Sequence, residues 1–98
     1  MFKTRITEML GIEYPIIGGA MMWLSQPEFV AAISEAGCCG LMASAMWKSK
    51  DEFRTAVRKV KSLTKKPFGV NLNLFPAMRP IDNNEYLDVI GEEGIKII

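Results

Sequence analysis

Short apolar segments alternate with amphipathic ones along this chain. Four segments are apolar and bounded by glycine or proline, as buried parallel strands are: residues 14–21, 41–45, 68–75 and 95–98. Between them, apolar residues recur at helical spacing in residues 29–36, 53–60 and 86–90. The pattern therefore predicts four strands and three helices in alternation.

Each predicted helix begins with the same signal, a capping residue followed three positions later by glutamate. The pairs are Ser25 with Glu28, Ser49 with Glu52, and Asp82 with Glu85. In such a pair the first side chain accepts a bond from a backbone N–H, and the carboxylate stabilises the positive helix end. Gly37 and Gly94 are placed to end the first and third helices in a left-handed conformation. A further short helix is predicted around Arg5–Leu10, ended by Gly11.

The βα unit recurs at nearly constant length, because Pro15, Leu41, Phe68 and Ile95 are 26, 27 and 27 residues apart. Right-handed crossovers between parallel strands give either an open α/β sheet or part of a closed (β/α)8 barrel, and spacing leaves both open. Eight units would need about 215 residues. In a TIM barrel, the 98 residues would supply the first four strands and three helices, a half-barrel.

Composition narrows the possible functions. The chain is 49% hydrophobic, enough for the core of one small domain, and its formal charge of +1 provides no general field for nucleic acid. Histidine is absent, so these residues cannot form a histidine-based active site or zinc site, and we predict no metal.

The remaining composition points to a cytoplasmic protein. The adjacent Cys38 and Cys39 cannot build a disulfide framework, and we expect them to be reduced, structural and placed before the second strand. No apolar run approaches the roughly 20 residues that cross a bilayer, and charges interrupt the N-terminus where a signal peptide is apolar. We therefore expect no membrane contact.

One stretch is strongly basic. Residues 48–66 hold eight of the twelve cations against only Asp51 and Glu52. A solvated helix face explains this pattern, and a docking surface for an acidic carrier protein is the alternative.

Candidate ligand contacts follow the predicted strands, because α/β proteins bind ligands at the C-terminal strand ends. After the first strand, Gly18 and Gly19 permit close backbone approach, while Met21, Met22 and Trp23 are polarizable and can pack on a flat ring. A flavin would suit that surface, and simple core packing is the alternative.

The third strand places polar residues on one face. Gly69, Asn71 and Asn73 alternate with Val70, Leu72 and Leu74. Inside a barrel, these amides would need a ligand, neighbouring backbone or water as partner. Asn71 is the preferred ligand contact.

The order of these residues resembles a known family. Residues 4–17, TRITEMLGIEYPII, run into Gly19, Ala20 and Met21 and resemble the opening of the nitronate monooxygenase (2-nitropropane dioxygenase-like) family. This family includes FMN-dependent enoyl-acyl-carrier-protein reductases. The resemblance continues through residues 34–37, 40–41 and 66–72 and covers essentially the whole chain, without separating the two activities.

The resemblance implies a TIM barrel that binds FMN at its strand ends, with residues 1–98 as the N-terminal half of that domain. The residues matched by position are Gly19, Ala20, Met21 and Met22 as a flavin wall, Ala43 and Ser44 on the second strand, and Asn71 on the third. The family's catalytic histidine and phosphate site would lie beyond residue 98, so no catalytic residue is assigned.

Two departures leave the substrate open. Gly18 stands where the family commonly has glutamine, so any contact from that side chain is lost. Residues 43–47, Ala-Ser-Ala-Met-Trp, form a bulkier wall than the family's glycine-rich loop.

The expected activity is that of an FMN-dependent oxidoreductase. It would oxidise small nitronates with oxygen, or pass hydride from NAD(P)H to an enoyl thioester. A non-catalytic half-barrel that binds flavin weakly or not at all is the alternative from another class. We expect the 98 residues to be inactive by themselves, and their open sheet edges predict self-association or pairing with a C-terminal half.

Overall fold

The computed structural model describes residues 3–74 and 82–98 and shows an α/β fold. The elements are α1 (Arg5–Leu10), β1 (Ile17–Gly18), a 3₁₀ helix (Met22–Leu24), α2 (Pro27–Glu35), β2 (Cys39–Ala43), α3 (Lys50–Leu63), β3 (Phe68–Asn71) and α4 (Asn83–Glu92). The strands form one parallel sheet in the order β1-β2-β3. The predicted alternation of strands and helices is confirmed, and so is the short first helix.

The strands are shorter than predicted, or shifted. β1 has two residues because the chain leaves the sheet after Gly18, and β2 begins at Cys39, which the sequence placed before the strand. Residues 95–98 form a single parallel bridge, Gly69 to Ile97, so the predicted fourth strand lies beside β3 but pairs at one residue and is not a strand of the described three-stranded sheet. The Val70 N–H donates to the Ile97 carbonyl over 3.0 Å. Residues 75–81, which include the end of the predicted third strand, lie outside the described residues.

Two of the three predicted helix starts are confirmed. The Glu52 N–H donates to Ser49 Oγ over 3.2 Å at α3, and the Asn84 N–H donates to Asp82 Oδ1 over 3.0 Å at α4. The start at Ser25 is wrong. Gln26 is the N-cap of α2 because Pro27 occupies the first turn, where a missing N–H costs nothing and the fixed φ suits a helix.

Both predicted glycine ends are confirmed. Gly37 follows α2 with φ +95° and Gly94 follows α4 with φ +72°, a conformation that side chains with a Cβ rarely adopt. These glycines allow the chain to turn back toward the next strand.

The helices pack on one face of the sheet. Met42, Phe68 and Val70 of the sheet share a buried cluster with Val30, Phe53, Val57, Val60, Tyr86, Val89 and Ile90 of the helices. The rings of Phe53 and Tyr86 meet edge to face at 5.0 Å and join α3 to α4. Within residues 3–74 and 82–98, no helix combines the length and the apolar character needed to cross a membrane.

The helix α2 lies almost in backbone contact with the sheet. A Cβ on Gly40 would lie 2.5 Å from the Val30 carbonyl oxygen, and one on Gly18 would lie 2.7 Å from Ile33 Cδ1. Both distances are shorter than real Cβ contacts. The two glycines therefore fix how closely α2 approaches β1 and β2.

Part of the basic stretch binds α4. Glu93, with 9% of its side chain exposed, lies 3.2 Å from Arg58 Nη2, 3.3 Å from Arg54 Nη1 and 3.6 Å from Lys61 Nζ. Lys61 Nζ also donates to the Glu93 carbonyl over 2.8 Å, at the negative end of α4. These three cations therefore connect α3 to α4, which a simple solvated face does not describe.

This cluster makes stability depend on pH. The hydrogen bond from Arg58 is the main reason that the pKa of Glu93 lies below its ordinary value of 4.5. A lowered carboxyl pKa stabilises the fold above the unfolded-state value and loses that effect as pH falls through the folded-state value. Glu93→Gln should therefore unfold at lower urea concentration than the wild type at neutral pH.

The difference between Glu93→Gln and the wild type should shrink between neutral pH and an acid pH below the lowered pKa of Glu93, where the carboxylate becomes protonated. Glu92→Gln is the matched control, because that side chain is 57% exposed and should have the smaller effect. A Glu93→Gln difference that is the same at both pH values would contradict the assignment.

Candidate functional site

The ends of β2 and β3 place three of the predicted contacts side by side. Ala43 and Asn71 are partners in the parallel register, and the Ser44 N–H donates to the Asn71 carbonyl over 3.1 Å. This backbone bond extends the pairing of the two strands by one residue. Ala43, Ser44 and Asn71 therefore form one continuous edge.

Ser44 brings an unsatisfied hydroxyl to this edge. Ser44 is 0% exposed, and its Oγ has no hydrogen-bond partner among the described residues. The same holds for two other buried atoms, Trp47 Nε1 and Asn83 Oδ1. A buried hydroxyl without a partner costs about 1–3 kcal/mol. A hydrogen-bonding group that reaches this enclosed Oγ would remove that cost.

Asn71 differs in part from its prediction. It lies on the sheet face opposite to Val70, as the alternation required, and on the same face as Gly69, where a Cβ would meet Leu41 and Ile97. Its side chain is exposed in the described chain, whereas the prediction of a buried amide in need of partners applies to the interior of a closed barrel. Asn71 can therefore donate to a ligand without first losing a protein partner.

The other asparagine of the predicted pattern is half-buried. The Asn73 carbonyl accepts a hydrogen bond from Asn83 Nδ2 over 3.0 Å, which connects the segment after β3 to the start of α4. Asn73 therefore has a structural contact of its own.

The loop after β1 provides a second group of predicted ligand contacts, besides the ends of β2 and β3. A Cβ on Gly19 would meet nothing within 4 Å, and Ala20 is half-buried. Met21 and Met22 are 49% and 44% exposed, so these two side chains do not pack in the core of the described chain. Open space beside a backbone with exposed thioethers is suited to a flat apolar ring.

The segment after β2 presents less bulk to a ligand than its sequence suggested. Ala45 and Met46 are 8% and 4% exposed, and Tyr86 Oη donates to the Trp47 carbonyl over 2.8 Å. The side chains of Ala45 and Met46 therefore pack into the protein. Their bulk fills the core more than it restricts a ligand.

Ser25 belongs to this site, although the sequence pattern predicted it as the N-cap of α2. Its Oγ accepts a hydrogen bond from the Met21 N–H over 2.6 Å, so it contacts the strand-one loop instead of capping α2. The spacing to Glu28 imitates a capping box. The proline at position 27 was the signal that could have placed the cap at Gln26.

The cysteines lie at the other end of the sheet. Cys39 is the first residue of β2 and is fully buried, and burial raises the pKa of its thiol. A protonated, enclosed thiol is a weak nucleophile. The structural role expected for Cys39 agrees with this placement.

Two cavities are lined by other residues than the predicted ligand contacts. One of about 650 Å³ is lined by α1, the end of α3 and residues 93–98, and one of about 690 Å³ lies between the starts of α2 and α3 beside Trp47. Neither is lined by a predicted contact residue. The candidate site is therefore an open wall at the sheet edge.

A parallel sheet with helices on one face and polar groups at its C-terminal edge defines an α/β protein of the class that binds ligands at strand ends. Comparison with known proteins identifies the family. The nitronate monooxygenase family model matches residues 3–97, and the chain belongs to this family.

Individual relatives have different names. Over 95 residues, the chain is 36% identical to the (3aS,4S,5R,7aS)-5-hydroxy-7a-methyl-1-oxo-octahydro-1H-indene-4-carboxyl-CoA dehydrogenase of Mycobacterium tuberculosis, covering 97% of this chain and 25% of that protein. Over 68 residues, it is 43% identical to the nitronate monooxygenase of Pseudomonas aeruginosa, covering 69% of this chain and 19% of that protein. The chain thus spans about a quarter of the length of the curated relatives it matches.

Solved structures support the same assignment. FabK from Thermotoga maritima matches with a TM-score of 0.84 and 35% identity, over 97% of this chain and 29% of that one. A point variant of the same protein matches with a TM-score of 0.83 and 38% identity, over 96% of this chain and 30% of that one. The likeness extends over nearly all of the present chain.

Proposed function

We propose that this chain supplies the first part of an FMN-binding (β/α)8 barrel in an oxidoreductase of the nitronate monooxygenase type. Bound FMN would supply electron transfer between a small nitronate and oxygen. The family match over residues 3–97 supports the type of enzyme. The activity itself is assigned to the full gene product, because the curated relatives are about four times as long.

The chain's own residues fit a flavin at the strand ends. The observation that carries the proposal is the exposed Asn71 side chain at the C-terminal end of β3, on the edge that α/β proteins use for ligands, with the buried and unpartnered Ser44 Oγ at the neighbouring end of β2. A ring nitrogen or carbonyl is the kind of partner that this hydroxyl lacks. The open space beside Gly19 leaves room for the plane of a ring.

Each residue has a physical part in this proposal. Met21 and Met22 would cover one ring face and exclude water from it, as exposed thioethers do on aromatic surfaces. Ser44 and the Asn71 amide would donate hydrogen bonds to the ring edge and fix its orientation. Gly19, Ala20 and Ala43 have no polar side-chain atom, so they would only set the shape of the wall.

An FMN-dependent enoyl-acyl-carrier-protein reductase that uses NAD(P)H is the second candidate. Two observations support this second candidate. The chain is similar to FabK over nearly its whole length, and the Mycobacterium tuberculosis relative is named as acting on a carboxyl-CoA, which is a thioester. Both candidates use the same strand-end wall and differ in the second substrate.

Assays of the full gene product test both candidates. The protein should be reconstituted with FMN and offered a small alkyl nitronate with oxygen in one assay, and an enoyl thioester with NADH or NADPH in the other. Turnover of the nitronate supports the first candidate, and turnover of the thioester supports the second. Flavin binding without either activity would overturn both.

A non-catalytic half-barrel is the third candidate, and it applies to the 98-residue chain itself. Quenching of FMN fluorescence by that chain distinguishes it. A dissociation constant below about 1 μM, equivalent to about −8 kcal/mol, requires a nearly complete site and would exclude this candidate.

Asn71→Leu tests the polar contact from β3. In the full gene product, the change should weaken FMN binding by about 1–3 kcal/mol, because one hydrogen bond to the ligand is lost. Equilibrium dialysis of FMN against the reconstituted protein measures it. Asn84→Leu, an equivalent change on the exposed face of α4, is the control and should leave FMN affinity unchanged. Equal affinity in both variants would show that Asn71 has no ligand contact.

A further inference from the structure

Ser25 lies beneath the loop that carries the candidate flavin wall. It is 1% exposed, and its Oγ accepts the Met21 N–H at 2.6 Å, four residues back along the chain. The hydroxyl is buried and accepts the N–H from the protein side of the loop, whereas Met21 itself is 49% exposed. The direction of the Met21 backbone therefore depends on this side chain.

The same loop is conformationally strained. Met22 has φ +43°, and among the described residues no other residue besides glycine has a positive φ. Such a conformation persists only where surrounding contacts determine it. Backbone bonds of 3.0 Å from the Leu24 N–H to the Met21 carbonyl and from the Ser25 N–H to the Met22 carbonyl close the turn. Within residues 3–74 and 82–98, the Ser25 hydroxyl makes the one side-chain hydrogen bond to the Met21 backbone.

A capping role does not account for this serine. Gln26 is the N-cap of α2 and makes no side-chain cap bond, and the Ser25 hydroxyl bonds to the loop side of the junction. The residue thus connects the start of a packed helix to the loop before it. That helix is itself held close to the sheet by Gly18 and Gly40.

We propose that Ser25 is a positioning residue, which holds the strained Met21–Met22 turn in the orientation that faces the strand-end ligand. The consequence for flavin binding rests on the proposed function. The hydrogen bond that fixes the turn is independent of the proposed function, because it is present in the chain without a ligand.

Hydrogen exchange of the Met21 amide in the 98-residue chain tests directly whether Ser25 fixes the turn. The wild-type amide should be protected, and Ser25→Ala should raise its exchange rate about tenfold, as expected when one buried hydrogen bond is lost. Ser34→Ala is the matched control. Ser34 is also 1% exposed and its Oγ accepts a backbone N–H, that of Gly40 at 3.3 Å, near the start of β2. The control should leave the Met21 amide unchanged.

Flavin affinity tests the consequence in the full gene product. Ser25→Ala should raise the FMN dissociation constant about five- to tenfold, and Ser34→Ala should not. Ser25→Thr retains the acceptor oxygen and should restore both protection and affinity relative to Ser25→Ala.

Two results would overturn the proposal. One is rapid exchange of the Met21 amide in the wild type, which needs no variant and so holds even if Ser25→Ala fails to fold. The other is equal flavin affinity in Ser25→Ala and wild type. If wild type binds no FMN, the proposed function fails, and the amide exchange alone then decides whether Ser25 holds the turn.

Discussion

Replacing Gly40 with alanine is expected to lower the free energy of unfolding by about 2–3 kcal/mol, the upper part of the range for an overpacked core. The new Cβ would lie 2.5 Å from the Val30 carbonyl oxygen and 3.1 Å from Val30 Cγ1. The first of these atoms is helix backbone and cannot rotate away. Relief therefore requires α2 to move off the sheet and lose contacts of Val30, which is fully buried.

Urea unfolding of the 98-residue chain, followed by circular dichroism, measures this effect. Gly91→Ala is the matched control, since a Cβ at this position in α4 meets nothing within 4 Å. Removing a glycine from an exposed helix should raise stability by about 0.5–1 kcal/mol. If Gly40→Ala unfolds at the wild-type urea concentration, α2 does not pack on β2 as closely as described.

The 98-residue chain by itself is expected to self-associate, with a second copy covering its open sheet. Ile16, just before β1, and Ile17, in β1, are 56% and 50% exposed, and Ile98 beyond the bridge to β3 is 66% exposed. Burying one large apolar side chain contributes about 1.5–3 kcal/mol, so pairing of two such edges is favourable. Sedimentation equilibrium at micromolar concentration should give at least twice the monomer mass of 11.0 kDa.

Charge placed on the edge should reverse the association. Ile98→Lys puts an ammonium group where the second copy would pack, and it should shift the mass toward one chain. Leu87→Lys, on α4 and 42% exposed, changes the charge equally and should leave the mass unchanged. A wild-type chain that sediments as an 11.0 kDa monomer would contradict the prediction.

The sequence was enough to name most residues of the candidate site, but it did not predict their positions relative to one another. The motifs that resemble the nitronate monooxygenase family led to the family that the comparison identifies over residues 3–97. The resemblance named Ser44 on the second strand and Asn71 on the third as ligand contacts, and the structure joins their backbones through the Ser44 N–H. Whether these residues contact FMN stays a prediction.

The sequence by itself determined the features that depend on a few adjacent residues. The helix periodicity, the caps at Ser49 and Asp82 and the glycine ends at Gly37 and Gly94 all match the structure. In each case, the deciding contact joins residues at most a few positions apart, so the local pattern contains the cause.

Only the tertiary structure decided features that depend on distant residues or on competing local signals. The single bridge of Ile97 depends on its approach to Gly69, and Glu93 is paired with cations more than thirty residues away. At Ser25, a capping pattern and Pro27 favoured different helix starts, and the hydroxyl bonded to Met21 instead. Such outcomes require the folded positions of both partners, because the free energy of a contact depends on burial and on what else can satisfy the same group.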